Sequence, residues 1–148
     1  MTQPTIQSTP VYGIGDATYQ AAGGLEGITR LVDAFYNYMD TLPEARRIRE
    51  MHVEDLNPSR QKLTYFLSGW MGGPKLYGEH FGSISIPVAH SHLPIGMEDK
   101  DAWLLCMEKA LADQGYEPAF QKYIIDKLSI PAESIRLMCE FKATNQDQ

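Results

Sequence analysis

The sequence predicts an all-α fold. Apolar residues recur at steps of three and four over several stretches, no stretch of useful length alternates apolar with polar residues, and glycine or proline punctuates the intervals. A chain of 148 residues suits one domain with one core. At that size roughly 70% of the unfolded surface is buried, enough to enclose a flat group as well. The expected division is a flexible N-terminal extension over 1–15, a helical domain over 16–143 and a C-terminal tail over 144–148.

Charge and composition exclude several partners. The formal net charge is −6, from 13 Lys+Arg against 19 Asp+Glu. No basic run is present, so neither nucleic acid nor an anionic membrane is an expected partner. No apolar segment approaches the ~20 residues of a membrane span, and no signal peptide is visible. Cys106 and Cys139 stand alone within apolar helical patterns and read as reduced, buried thiols. A cytoplasmic protein is expected.

In chain order, residues 1 to 15 are rich in Thr, Gln, Pro and Gly without periodicity. Asp16 to Ala22 reads as one short helix, stopped by Gly23-Gly24. Leu25, Ile28, Val32, Phe35 and Met39 form one face of an amphipathic helix, flanked by Tyr36 and Tyr38. Pro43 opens another short helix, with Thr41 and Glu44 in capping-box spacing and Arg46, Arg47 and Arg49 on a solvated face. Asn57-Pro58 is a helix-start signal, and the helix it opens buries Leu63, Phe66, Leu67 and Trp70 before Gly72-Gly73-Pro74 ends it. From Pro74 to Pro94 the chain reads as a long connection with one helical turn near His90, and such a length implies a function. Glu98 or Asp99 starts a helix to about Gln114 that buries Trp103, Met107, Ala110 and Leu111. Gly115 breaks it. The last helical region begins near Glu117-Pro118, turns Phe120, Tyr123, Ile124 and Leu128 inward, is kinked or split at Pro131, and continues through Ile135, Met138 and Phe141.

Four histidines, His52, His80, His90 and His92, are the first candidates for chemistry. A surface or hydrogen-bonded role is the ordinary one. His90 stands out because Pro87 and Pro94 bracket an otherwise apolar segment just before a helix with an inward Trp. A rigid segment of that kind suits a neutral imidazole held against haem iron. The local pattern leaves His92 open as the alternative. Tyr36 and Trp103 are core aromatics whose O–H and N–H need partners when buried, so either could equally face a ligand. His52 is either solvent-exposed or a third donor. Other chemistries lack their motifs: no G-x-G-x-x-G before a strand, no P-loop, no H-E-x-x-H and no pair of CxxC spacings. Cys106 sits mid-helix, a poor place for a nucleophile, and the scattered methionines suit gap-filling.

Together Phe35-Tyr36, Phe66-Leu67, Gly72-Gly73-Pro74 with Tyr77, His90, and Asp101-Ala102-Trp103-Leu104 with Cys106-Met107 resemble the truncated haemoglobins, specifically group II. The resemblance covers roughly residues 20 to 140. It implies a truncated globin, a two-over-two helical sandwich around haem b, with His90 as the proximal iron ligand. Tyr36 and Trp103 would be distal hydrogen-bond donors. His52 would occupy the distal-loop position, although a gapless alignment puts Met51 there. Ser59 and Leu63 would line the distal pocket, and Phe66, Leu67, Leu93, Ile95 and Met107 would also contact the cofactor. Arginines that usually precede the proximal histidine are replaced by Pro87-Val88-Ala89, so Lys75, Tyr77 and His80 are the expected propionate partners. Leu93 replaces the usual Phe.

The resemblance implies binding of O2, nitric oxide and other diatomic ligands. Several donors should slow O2 release, which suits nitric oxide dioxygenase or peroxidase-like chemistry, with a reductase as partner and a monomeric or weakly oligomeric protein. The alternative is a haem-free α-helical ligand-binding or sensor module, which would lack a Soret band.

Overall fold

The computed structural model describes residues 11–83 and 89–146. Its helices are α1 (Ala17–Ala21), α2 (Gly24–Thr41), α3 (Arg46–Glu50), α4 (Asn57–Trp70), α5 (Leu76–Phe81), α6 (Met97–Asp113) and α7 (Pro118–Gln146), with a 3₁₀ turn at Pro43–Ala45 before α3. No strand occurs among the described residues. Residues 1–10 of the expected extension, the Pro87-Val88 step before His90 and residues 147–148 lie outside the described residues.

α2 is the central helix. It packs against both α4 and α6, and α6 in turn packs against α7. That gives two helix pairs, α2 with α4 and α6 with α7, as expected. The inner face of α2 is Ile28, Leu31, Val32, Phe35, Tyr36 and Met39, all buried. Each large apolar side chain so buried contributes about 1.5–3 kcal/mol. Leu25, expected on this face, is 38% exposed, and Leu31 takes its place. Glycine is required at Gly27, in the first turn of α2, because a Cβ there would lie 1.9 Å from the Ala22 carbonyl oxygen. That carbonyl accepts a hydrogen bond from the Tyr116 hydroxyl at 2.6 Å.

Several local expectations are corrected. Thr41 caps nothing: it belongs to the end of α2, where its hydroxyl donates to the Asn37 carbonyl. Asn57 is the first residue of α4 rather than its cap, and the Asp55 carboxylate accepts its backbone N–H at 3.0 Å. α4 buries Thr64, Leu67 and Ser68, so that Leu63, Phe66 and Trp70 fall on a half-buried flank. The long connection after Pro74 contains α5. Residues 11–15 form turns in which Tyr12 packs against Phe120 and Tyr123, with ring centroids 5.5 and 5.2 Å apart.

α7 is a single 29-residue helix that runs through Pro131 without splitting. Proline removes the N–H that would pair with the Lys127 carbonyl, and the loss of one bond in so long a helix is tolerated. Towards its end the inward residue is Cys139, while Phe141 is 61% exposed.

Gly72-Gly73-Pro74 has a packing reason. Gly72 adopts φ +92°, and a Cβ on it would meet the Gly15 carbonyl oxygen at 2.0 Å. A Cβ on Gly73 would lie 2.3 Å from the Tyr19 ring, and the Tyr19 N–H donates to the Met71 carbonyl at 3.0 Å. The two glycines form the seat on which the N-terminal helix rests.

Candidate functional site

One wall of the site is a run of aromatic contacts. Phe35 meets the rings of both Tyr36 and Trp103 at 4.9 Å, edge-on, and Tyr36 meets His52 at 5.9 Å. Helical spacing places Phe35 and Tyr36 on α2, and α6 delivers Trp103 to the same ring. Two of the expected donors thus meet at one core phenylalanine, and His52 reaches the group through Tyr36. Phe35, absent from the predicted site set, is the ring that links two of them. Its place in the apolar stripe gave no sign of that.

The hydrogen-bonding state of these groups decides what they can do. The Tyr36 hydroxyl is buried and donates only a long bond, 3.5 Å, to the Ser59 carbonyl. Burial pushes its pKa up to about 12, against smaller opposing effects of Arg60 and Ser59. It is therefore a neutral phenol, a donor, throughout the ordinary pH range. The Trp103 indole N–H makes no hydrogen bond among the described residues. His52 Nδ1–H donates to the Ile48 carbonyl at 2.8 Å. Met51, the other residue considered for that loop position, is half-buried beside it.

On α4, Leu67 is fully buried, Leu63, Phe66 and Ser59 are half-buried, and Ser59 offers its backbone carbonyl to Tyr36. Met107 is fully buried in the core face of α6. Tyr77 packs on Phe81 at 5.0 Å, Lys75 is exposed at the start of α5, and the exposed His80 ring lies 4.9 Å from Tyr65. α5 buries none of its residues, and Phe81 is 40% exposed.

His90 lies in a helical turn and is half-buried, whereas His92 is exposed. The His90 carbonyl accepts the Leu93 N–H at 3.0 Å and the Cys139 thiol at 3.1 Å. Leu93 and Ile95 are half-buried beyond it. A clamp then fixes the chain: Arg47 donates two bonds to Asp99, at 2.9 and 3.1 Å, and one to the Pro94 carbonyl at 2.9 Å. Asp99 also accepts the Gly96 N–H at 2.9 Å. Burial works to raise the Asp99 pKa, but these bonds outweigh it and hold the carboxyl below the usual range. Arg47 is exposed, as expected of its solvated face, but its pairing across 52 residues left no local signal.

The residues present fit haem. They comprise a half-buried imidazole on a tethered turn, a buried O–H and an N–H with no protein partner among the described residues on one aromatic wall, and half-buried apolar side chains along α4 and α5. Among the described residues no group of three or more His, Cys, Asp and Glu side chains is placed to hold a metal ion. A separate cavity of about 330 Å3 lies against α7, lined by Gly13, Trp70, Tyr123 and Ile130 among others. It shares no residue with the predicted site.

Residues 17–136 match the bacterial-like globin family. The chain is 32% identical over 117 residues to the group 2 truncated haemoglobin YjbI of Bacillus subtilis (strain 168), covering 79% of this chain and 86% of that protein. Among solved structures, the group II 2-on-2 haemoglobin of Agrobacterium tumefaciens is 33% identical with a TM-score of 0.77, covering 88% of this chain and 98% of that one. The truncated oxygen-avid haemoglobin of Bacillus subtilis is 32% identical with a TM-score of 0.72, covering 80% and 97%. With an all-helical two-over-two fold and a site that suits the cofactor, the chain belongs to the bacterial-like globin family as a group II truncated haemoglobin, a haem protein that binds O2.

Proposed function

We propose that the protein retains O2 tightly and uses it to convert nitric oxide to nitrate, with His90 as the residue that would hold the haem iron. Haem, when bound, would supply iron for O2 binding and for the redox chemistry. The chain's own residues supply the rest. Tyr36 O–H and Trp103 N–H donate to the diatomic ligand, and His52 holds the far side of Tyr36. Leu63, Phe66 and Leu67, with Ser59 at the head of α4, keep water out, which strengthens each bond. Leu93, Ile95 and Met107 pack against the ring system, while Lys75, Tyr77 and His80 are the candidate partners for its carboxylates.

The observation that carries this reading is the pair of poorly satisfied donors, Tyr36 with a 3.5 Å bond and Trp103 with none, joined through Phe35. Two such donors favour slow O2 release, which suits redox use more than delivery. The Bacillus subtilis relative is itself named oxygen-avid. Each turnover combines one nitric oxide with one O2 and one electron to give nitrate, so the electron must come from a separate reductase. Peroxide reduction would call on the same donors.

The test is rapid mixing of the oxygenated protein with nitric oxide, reading nitrate. Stoichiometric nitrate within the mixing time is expected, and slow or absent nitrate would refute the dioxygenase role. His90→Ala should abolish the five-coordinate ferrous spectrum. If His92→Ala does so instead, the axial assignment is wrong.

A further inference from the structure

Cys139 is a residue that the proposed chemistry does not use. It is 3% exposed, it has no disulfide partner, and it reaches across 49 residues from α7 to the backbone of His90. Its Sγ lies 3.1 Å from the His90 carbonyl oxygen, within reach of an S–H···O bond. The same oxygen accepts the Leu93 N–H at 3.0 Å. A carbonyl has two lone pairs. Here one closes the turn and the other is held by a helix from a different part of the chain.

We propose that Cys139 is a positioning residue for the axial imidazole: its thiol, bonded to the His90 carbonyl, sets the orientation in which the His90 ring is presented to iron. The inference rests on His90 being that ligand. Beyond His90 the chain is anchored by the Arg47–Asp99 clamp on Pro94 and Gly96, and Cys139 bonds the backbone of His90 itself. Backbone rotation at His90 swings the whole ring, and support around a ligating histidine is what fixes its geometry.

The experiment uses the haem-loaded protein with Cys139→Ala, which removes the donor, and Cys139→Ser, which keeps one. In the ferrous five-coordinate form, resonance Raman reads the iron–histidine stretching band. Haem transfer to excess apomyoglobin reads retention. Cys139→Ala should shift and broaden the band and speed haem loss about two- to fivefold, as for loss of one modest hydrogen bond. Cys139→Ser should restore both. An unchanged band in Cys139→Ala overturns the inference, as does an equal shift in both variants, or faster haem loss with no band shift, since each would mean packing alone. If Cys139→Ala does not fold, the infrared S–H stretch of the wild type minus Cys139→Ser decides: a frequency lowered by hydrogen bonding supports the tether, and a free-thiol frequency overturns it. A wild-type protein with no iron–histidine band overturns the His90 reading itself, whereas a band that ignores Cys139 overturns only this inference.

Discussion

Trp103→Phe isolates one donor with little else disturbed. The indole N–H has no partner among the described residues, so its removal leaves no protein acceptor unsatisfied. Trp103 touches Phe35 edge-on at 4.9 Å, a contact that a phenylalanine can partly keep. The cost to folding should therefore be about 1 kcal/mol, from lost area alone. The effect on the ligand should be larger. A hydrogen bond to a group that carries partial negative charge, in a dry pocket, is worth about 1.5–3 kcal/mol. At 1.4 kcal/mol per tenfold, O2 release should accelerate roughly ten- to a hundredfold. Stopped-flow displacement of O2 by carbon monoxide measures the rate. An acceleration below about twofold, the size of a minor packing effect, would remove Trp103 from the distal network. Tyr36→Phe should act in the same direction, by less to the extent that Ser59 already engages that hydroxyl.

Three further outcomes follow from the packing and charges. Burial pushes the Tyr36 pKa up to about 12 from an ordinary 10. Between these values the folded protein holds a proton that the unfolded chain has lost, so stability should fall by about 2–3 kcal/mol as pH rises through that window. Denaturant melts of Tyr36→Phe should lack that part of the alkaline decline, and identical pH profiles would refute the assignment. Gly27→Ala should destabilise by about 2–4 kcal/mol despite alanine's better helix propensity, because its Cβ would sit 1.9 Å from the Ala22 carbonyl oxygen. A neutral or stabilising result in urea melts would show that the α1–α2 corner yields. Asp99 holds its carboxyl below the usual 3.8, so its contribution is complete above that pH and fades as pH falls below it. Asp99→Asn should lower Tm by about 2–5 °C at neutral pH, with the gap from wild type closing in acid. A gap constant with pH would exclude the ion pair as its origin.

What was legible in the sequence follows the range over which the signal acts. The 3.6-residue period of α2 disclosed Val32, Phe35 and Met39, since one helix face is a local property. Tyr36 and Trp103 could be named individually, and the resemblance set them in one site, but the ring between them was visible only once α2 met α6. α5 escaped notice because Gly78 and Gly82 punctuate a helix of six residues. Leu63 and Phe66 were expected in the core and lie half-buried instead, because on α4 the inner positions belong to Thr64 and Ser68, whose polarity hides the stripe. Ser68 can be buried because its hydroxyl donates to the Pro74 carbonyl at 2.7 Å, a partner six residues away. The tethers at Cys139 and Arg47 link residues 49 and 52 apart, where no periodicity operates.

The seat under Tyr19 has a consequence for how this sequence can drift. Gly73 is confined to glycine by a ring fifty-odd residues earlier, and the ring lies where only a bare backbone leaves room. Positions 19 and 73 therefore form one unit of variation. A smaller residue at 19 would free 73 to accept a side chain, and a side chain at 73 would make a tyrosine at 19 untenable. Gly72 is bound by its left-handed backbone as well as by the Gly15 carbonyl, so relief on the N-terminal side alone would not release it. Of two adjacent identical residues, one should covary with a distant partner and the other should not.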